Sequence, residues 1–350
     1  MNINTQIVQA LDPDRDRAAV SLAARLLRDG KLVVLPTETV YGIGANALDS
    51  EAVQRIFAAK GRPQDNPLIA HIAEMQQLDQ LVSGLPPGAL KLAQTFWPGP
   101  LTMVLPRGKG VPDVVSAGLP TVAVRMPSLP VARAIIRESG VPVAAPSANV
   151  SGRPSPTTVQ HCIQDLSGKV DLIVDGGPSP VGVESTVVSL VGDRPRLLRP
   201  GAVTLAQLSE VLEDVDVDPG VSRHVDDGAP VSSPGMKYKH YAPRANVVLV
   251  DGTDRQFRAF LERQEKKGTY ALVFDEDIGD LPVPAMGYGP REDSEAQARG
   301  LFAALRKLDE LGAVQVYART PCKAGMGLAV YNRLVRAAGF SEIKLTDRVD

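Results

Sequence analysis

Features that would indicate a secreted, membrane-spanning or nucleic-acid-coating protein are scarce in this sequence. Its 350 residues include only two cysteines, Cys162 and Cys322, too few for the disulfide framework of a secreted scaffold. Residues 1–16 lack the apolar core of a signal peptide, and no run of about 18 apolar residues occurs. Lys and Arg number 38 against 40 Asp and Glu, a formal charge of −2 with no basic surplus. We therefore expect a cytoplasmic protein that contacts no membrane and touches RNA only locally, if at all.

Common signatures of nucleotide and metal enzymes are missing as well. Each Gly-Lys pair is followed by Leu, Gly or Val, which excludes a P-loop. Residues 42–47 (GIGANA) match a dinucleotide-binding turn superficially, but no acidic strand end lies about 20 residues further on. The four histidines and two cysteines lack metal-ligand spacing, and no G-x-S-x-G elbow occurs. The sequence therefore predicts neither a zinc site nor a hydrolase triad.

The length and composition of the chain predict two globular domains. Hydrophobic residues make up 44% and charged residues 22%, which are ordinary globular values, and a domain takes about 100–200 residues. Residues 214–244 are rich in Pro, Gly, Ser and charges and lack a sustained periodicity. The predicted division is a first domain at 1–213, a linker or lid at 214–244, and a C-terminal domain at 245–350.

Helical patterns and short apolar runs alternate irregularly in the first domain. Amphipathic helices are predicted at 14–29, 50–60, 87–96, 130–139 and 205–212, with Ser50 as one N-cap candidate. Strands are predicted at 31–36, 68–72, 101–105, 121–125, 141–145, 171–174 and 185–191. Because some neighbouring strands have no helix between them, the pattern predicts a mixed sheet with flanking helices.

The C-terminal domain has a more regular pattern of strands and helices. Strands are predicted at 246–251, 270–274, 283–288 and 314–318, and helices at 255–266, 294–311 and 328–338. This alternation predicts a small parallel α/β domain, Rossmann-like in type.

Polar clusters follow several strands, where a rigid scaffold presents functional groups. Residues 60–63 (KGRP) place two cations at a helix end, which suits either capping of the helix dipole or a phosphate clamp. Residues 146–149 (PSAN) and the small residues after them suit a close approach to a ligand or a plain surface loop. Residues 36–42 (PTETVYG) alone fit an ordinary strand and turn. The residues by themselves leave these alternatives open.

Taken in order, the clusters resemble the threonylcarbamoyl-AMP synthase family, the YrdC-like enzymes. The motifs that carry the resemblance are PTETVYG (36–42), KGRPxxNPLIxH (60–71), TVAVRMP (121–127), PSANxSGxPSPT (146–157), GVESTVV (182–188) and LRPG (198–201). Residues 233–243 (SPGMKYKHYAP) and 325–338 resemble the linker and last helix of the family's two-domain form. The resemblance implies a YrdC-like mixed twisted sheet with flanking helices, followed by the smaller Rossmann-like domain.

The family condenses L-threonine, bicarbonate or CO2, and ATP into threonylcarbamoyl-AMP and pyrophosphate, for threonylcarbamoyladenosine modification of tRNA. The resemblance therefore implies ATP as a substrate, with Mg2+ on its phosphates rather than in a protein cage. It also implies a downstream threonylcarbamoyltransferase as the consumer of the product, with weak or no direct tRNA contact. Such a reaction needs cations and oriented donors rather than a covalent nucleophile.

The resemblance assigns two sets of site residues and no metal-ligating side chain. The nucleotide set, in which Lys60 and Arg62 are the catalytic cations, is Lys60, Arg62, Asn66, Ser147, Asn149, Ser155, Arg199 and Tyr238. The threonine set, in which Arg125 pairs with the substrate carboxylate, is Thr39, His71, Arg125 and Ser185.

Two other functions use a similar module. One is a carbamoyl-adenylate-forming transferase of the hydrogenase-maturation type, but those proteins are much longer and carry zinc-finger and acylphosphatase segments. The other is an RNA-binding module without enzymatic activity. The charge of −2 and the ligand-like Thr, His and Ser positions weigh against RNA binding.

Overall fold

The computed structural model describes residues 3–223, 241–279 and 281–346, which group into two compact units. Within this part of the chain, the first unit takes up residues 3–151 and 155–221, and the second takes up residues 152–154, 222–223 and 241–346. The predicted linker lies mostly at 224–240, outside the described residues, as does Tyr238. The predicted domain boundaries therefore stay a prediction.

The first unit is built on one mixed sheet, as the sequence predicted. Among the described residues its strands are β1 (Gln6–Gln9), β2 (Val33–Leu35), β3 (Gly42–Asn46), β4 (Ile69–His71), β5 (Leu101–Pro106), β6 (Thr121–Arg125), β7 (Val143–Ala144), β8 (Leu172–Asp175), β9 (Thr186–Ser189), β10 (Arg196–Arg199) and β11 (Asp216–Val217). They lie in the order β1-β8-β2-β3-β7-β4-β6-β5-β9-β10-β11. Strands β4 and β6 are parallel, whereas β5 and β6 are antiparallel.

Helices cover this sheet with apolar side chains. They are α1 (Arg17–Arg28), α2 (Ser50–Lys60), α3 (Ala89–Phe96), α4 (Asp113–Ser116), α5 (Pro130–Ser139), α6 (Val159–Leu166) and α7 (Leu205–Leu212), with 3-10 turns at Met75–Gln80 and Pro219–Val221. The core under them includes Trp97, the only tryptophan of the sequence. Among the described residues, no helix has both the length and the apolar character that a membrane crossing requires.

Several local expectations were wrong. The N-cap of α2 is Asp49 rather than Ser50, because the Asp49 carboxylate accepts hydrogen bonds from the backbone N–H groups of Glu51 and Ala52. Helix α1 begins at Arg17 rather than at residue 14. Strand β3 was not predicted because its two glycines are poor strand formers. Gly44 is required there, since a Cβ would lie 2.9 Å from Val143 Cγ1 on the neighbouring strand.

The second unit is an all-parallel α/β layer, as predicted. Its described strands are β12 (Asn246–Asp251), β13 (Thr269–Val273), β14 (Ala285–Gly287), β15 (Gln315–Arg319) and β16 (Glu342–Lys344), and its helices are α8 (Asp254–Glu262), α9 (Ser294–Glu310) and α10 (Gly325–Ala337). The strand order is β14-β13-β15-β12-β16, and every pair is parallel. Strand β16 was missed because it is a short, half-exposed edge strand with little apolar pattern.

Candidate functional site

The turn at 36–42, which leaves β2, is the place where three of the sequence motifs meet. Its backbone N–H at Tyr41 donates to the carbonyl of Pro156 over 2.9 Å, and Ala148 N–H donates to the Tyr41 carbonyl over 2.8 Å. Gly182 N–H donates to the carbonyl of Thr39 over 3.1 Å. Backbone hydrogen bonds therefore hold the turn against the PSAN loop (residues 146–157) and the GVEST segment (residues 182–188).

Sheet register places two residues of the threonine set, His71 and Arg125, in one row with Thr102. Arg125, the last residue of β6, is the cross-strand partner of His71 in β4 and of Thr102 in β5. Directly opposed residues project their side chains on the same face of a sheet. Arg125 therefore lies between His71 and Thr102, at the end of its strand beside the turn at 36–42.

Arg125 is buried and holds that turn through its guanidinium. Its Nη1 donates to Thr39 Oγ1 over 2.7 Å, and its Nε donates to the Gly99 carbonyl over 3.4 Å. Its Nη2 lies 2.6 Å from Glu38 Oε1, so the two side chains form an ion pair. Burial, the largest single effect, opposes the ionisation of Glu38. The charge of Arg125, together with hydrogen bonds from Arg125 and from the backbone N–H groups of Glu38 and Ser128, outweighs burial and lowers the pKa of the carboxyl below its usual value.

His71 is an uncharged member of this row. Burial, together with the nearby charge of Arg125, lowers the pKa of its imidazole to about 3. Its Nδ1 lies 3.2 Å from the Ile69 carbonyl oxygen. Near neutral pH the imidazole therefore offers hydrogen-bonding atoms without adding positive charge to that of Arg125.

Because His71 is buried and its pKa is lowered, we predict that the first unit loses stability in acid. The unfolded chain binds a proton at His71 near pH 6.5, whereas the folded chain does so only near pH 3. Between these values the unfolded state holds more protons, so the free energy of unfolding falls as the pH falls, by up to about 1.4 kcal/mol per pH unit. Between pH 7 and pH 5, the free energy of unfolding of the His71→Gln variant should therefore fall by about 2 kcal/mol less than that of the native chain.

Trp97 supplies the measurement for this prediction, because it is the only tryptophan and is buried in the first unit. Urea unfolding would be followed by its fluorescence at pH 7 and pH 5 for both proteins. Equal losses of stability in the two proteins would show that His71 is already protonated, or solvated, in the folded state.

Ser185 and Arg199 form a second buried group that is joined to the same row. Ser185 Oγ and Thr102 Oγ1 are 2.8 Å apart. Arg199 donates from Nε to the Ser185 carbonyl over 3.0 Å and from Nη2 to Ser185 Oγ over 3.1 Å. The resemblance assigned Arg199 to ATP and Ser185 to threonine, and their direct contact makes the two sets continuous.

Lys60 fastens the PSAN loop to the end of α2. Gly61 ends the helix in the left-handed conformation, with φ of 61°, and the Lys60 side chain is only 1% exposed. Its Nζ donates to the Ser147 carbonyl and, over 2.6 Å, to the Asn149 carbonyl. These hydrogen bonds join the end of α2 to the PSAN loop.

The other residues of the nucleotide set lie on adjoining segments. Arg62 Nη2 donates to the carbonyls of Asn66 over 3.3 Å and Pro67 over 3.4 Å. The Oδ1 atom of Asn66 is buried and accepts no hydrogen bond within the described part of the chain. Ser155 is fully buried and donates from Oγ to Glu184 Oε1. Only Tyr238 of the predicted set lies outside the described residues.

Three buried polar residues of this region received no role from the sequence. Glu38 and Glu184 belong to the motifs PTETVYG and GVESTVV. These motifs marked the right segments but did not single out the two glutamates as members of the site. Thr102 lies inside an apolar strand, and only the register of β5 with β6 reveals it. Among the described residues, no group of three or more His, Cys, Asp and Glu side chains is arranged to hold a metal ion.

Comparison with known proteins covers both units. A family model described as "Telomere recombination" matches residues 25–201, and one described as "Threonylcarbamoyl-AMP synthase, C-terminal domain" matches residues 203–339. Threonylcarbamoyl-AMP synthase of Pyrococcus abyssi is 46% identical over 333 residues, which are 93% of this chain and 96% of that protein. The Bacillus subtilis protein of the same name is 46% identical over 324 residues, which are 91% of this chain and 93% of that protein.

A solved structure shows the same similarity in three dimensions. The crystal structure of Pyrococcus abyssi Sua5 complexed with L-threonine matches with a TM-score of 0.90 at 43% identity. The match covers 98% of this chain and 99% of that chain. The sequence-based expectation of fold and family is confirmed by these comparisons.

Proposed function

Because the chain belongs to the threonylcarbamoyl-AMP synthase family, we propose that it condenses L-threonine, bicarbonate or CO2, and ATP into L-threonylcarbamoyl-AMP. Pyrophosphate is the second product. The adenylate serves the threonylcarbamoyladenosine modification of tRNA, through a threonylcarbamoyltransferase that consumes it. This enzymatic function and its family were predicted from the six sequence motifs.

The buried Arg125 is the observation that carries the proposal. It lies at the meeting point of the motifs, where its guanidinium pairs with Glu38 and donates to Thr39. A guanidinium has five N–H groups and binds a carboxylate through two of them. We propose that these donors hold the carboxylate of L-threonine, while Thr39, His71 and Ser185 surround the rest of this small substrate.

The cations of the nucleotide set suit the second half of the reaction. The threonine amine, once neutral, forms a bond to the carbon of CO2, and an oxygen of the resulting carbamate attacks the α-phosphorus of ATP while pyrophosphate leaves. Negative charge grows on the departing oxygens, so fixed positive groups stabilise the transition state. We propose Lys60, Arg62 and Arg199 for this role.

The remaining nucleotide contacts are proposed for Asn66, Ser147, Asn149, Ser155 and Tyr238. Mg2+ is proposed as a component of the ATP substrate, bound to phosphate oxygens, because this ion keeps oxygen ligands and dehydrates reluctantly. A cytoplasmic location and weak or absent direct tRNA contact stay predictions. The match of the C-terminal family model to residues 203–339 favours the synthase over the hydrogenase-maturation and RNA-binding alternatives.

A pyrophosphate-release assay tests this function directly. The purified chain with MgATP, L-threonine and bicarbonate should release pyrophosphate, and omission of either threonine or bicarbonate should stop the release. L-Serine should react about 10- to 100-fold less efficiently, because it lacks one methyl group that a fitted pocket recognises. Pyrophosphate release that continues unchanged without threonine would contradict the proposed function.

A further inference from the structure

Thr102 is a buried residue that lies outside the six motifs and has no part in the proposed reaction so far. It is 0% exposed, within the apolar strand β5. Its Oγ1 lies 2.8 Å from Ser185 Oγ, and this contact is the only hydrogen bond of its side chain within the described part of the protein. The hydroxyl of Thr102 therefore depends on Ser185 alone.

Ser185 has two hydrogen-bonding neighbours for a single hydroxyl. A serine hydroxyl carries one donor proton and two acceptor lone pairs. Arg199 Nη2 donates to Ser185 Oγ over 3.1 Å, and a guanidinium can only donate, so one lone pair is filled. The contact with Thr102 then uses either the second lone pair of Ser185 or its proton.

Burial decides the direction of the hydrogen bond between Thr102 and Ser185. If Ser185 donated, the Thr102 proton would have no acceptor among the described residues and no exposure to solvent. A buried donor without an acceptor is unfavourable, and such groups are rare in folded proteins. If Thr102 donates, its proton has an acceptor and both lone pairs of Ser185 Oγ are filled. The proton of Ser185 then remains for another acceptor.

A hydroxyl whose two lone pairs are filled can donate one hydrogen bond and accept none. Ser185 is one of the residues proposed to surround threonine. The reacting substrate offers acceptor oxygens in its carboxylate and in the carbamate that forms on its amine. A protonated amine only donates, so it would find no lone pair on Ser185. The arrangement therefore favours an oxygen of the substrate as the partner of Ser185.

We propose that Thr102 is a positioning residue for the synthase reaction. By donating to Ser185 Oγ, it fixes Ser185 as a hydrogen-bond donor to an oxygen of the bound threonine or of its carbamate. This inference rests on the proposed function, because it takes threonine as the substrate. Without the Thr102 hydroxyl, Ser185 regains a free lone pair, so its proton is no longer held in one direction.

Two substitutions at position 102 separate the hydroxyl from the shape of the side chain. Thr102→Val keeps the branched shape and removes the hydroxyl, whereas Thr102→Ser keeps the hydroxyl and removes the methyl group. The kcat/KM for L-threonine, measured by pyrophosphate release at saturating MgATP, should fall about 10-fold in Thr102→Val and stay near the native value in Thr102→Ser. A native value in Thr102→Val, or a larger loss in Thr102→Ser, would overturn the proposal.

Thr5→Val is the matched control for these variants. Thr5 belongs to the same unit and donates from Oγ1 to the Val170 carbonyl over 2.7 Å, so it also loses one hydrogen bond to a distant segment. Its kcat/KM should equal that of the native chain. Trp97 fluorescence shows whether each variant is folded under the assay conditions. If Thr102→Val does not fold, Thr102→Ser compared with Thr102→Ala gives the same test, because these two differ only in the hydroxyl.

A double-mutant cycle tests whether Thr102 acts through Ser185. Ser185→Ala should lower the kcat/KM for threonine by about 10- to 100-fold, because a hydrogen bond to a charged oxygen is lost. Adding Thr102→Val to Ser185→Ala should lower it no further, since no hydroxyl is left to orient. A purely structural role of Thr102 would instead give the same loss in both backgrounds.

The outcomes distinguish this inference from the proposed function. If the native chain releases pyrophosphate only with threonine, but Thr102→Val causes the same loss with and without the Ser185 hydroxyl, the inference is overturned and the synthase function stands. If the native chain releases no threonine-dependent pyrophosphate, both are overturned together.

Discussion

Replacing Arg125 with lysine is expected to raise the KM for L-threonine by about 100-fold. Lysine keeps one positive charge near Glu38 but offers a single ammonium in place of the planar fork that binds a carboxylate bidentately. The KM for ATP should change much less, because Arg125 contacts Thr39, Glu38 and Gly99 rather than a residue of the nucleotide set. Pyrophosphate release measured while each substrate is varied separates the two constants.

Lysine is preferred to alanine in this test because of Glu38. Alanine at position 125 would leave a buried carboxylate without its partner, which costs about 3–5 kcal/mol of stability. Arg107→Lys is a matched control, since Arg107 pairs with the exposed Asp113 in the same unit. An unchanged KM for threonine in Arg125→Lys would mean that Arg125 only neutralises Glu38.

Replacing Lys60 with methionine is expected to lower turnover by about 1000-fold and the free energy of unfolding of the first unit by about 2–4 kcal/mol. Methionine fills much of the same space but cannot donate to the carbonyls of Ser147 and Asn149, which Lys60 now satisfies. Turnover should fall because a positive group near the proposed triphosphate site is lost and because the PSAN loop loses its anchor.

Two measurements separate these effects. Urea unfolding followed by Trp97 fluorescence gives the change in stability, and pyrophosphate release under conditions in which the variant is fully folded gives the change in turnover. Lys91→Met, at an exposed position of α3, should alter neither. If Lys60→Met loses less than about 1 kcal/mol and keeps near-native turnover, Lys60 would be no more than a helix-terminal charge.

Local sequence was sufficient to predict the helices and strands whose two ends are marked by turn residues. Helices α2, α5 and α7 have the predicted bounds, as do strands β6 and β12, because an apolar stripe or a β-branched run is bracketed there by turn residues. The same is true of the all-parallel arrangement of the second unit, which follows from regular alternation of strands and helices.

Elements that depend on distant neighbours could not be predicted. Strand β11 was included in the predicted linker because its two residues carry no pattern, yet it pairs with β10. Strand β3 was not predicted from its glycine-rich sequence, although it runs between β2 and β7 in the sheet. In both cases the pairing strand stabilises the conformation, and intrinsic propensity does not.

The amino-acid sequence alone is sufficient to identify the family, because six motifs of small polar and cationic residues occur in a family-specific order. How the residues of these motifs meet depends on long-range strand pairing. The Glu38–Arg125 ion pair and the Thr102–Ser185 contact join positions that are far apart in the chain. Their proximity depends on the order and register of the sheet, in which a slip by one residue would turn these side chains to the other face. Local patterns predict strands, but pairing between distant strands sets the position of each charge.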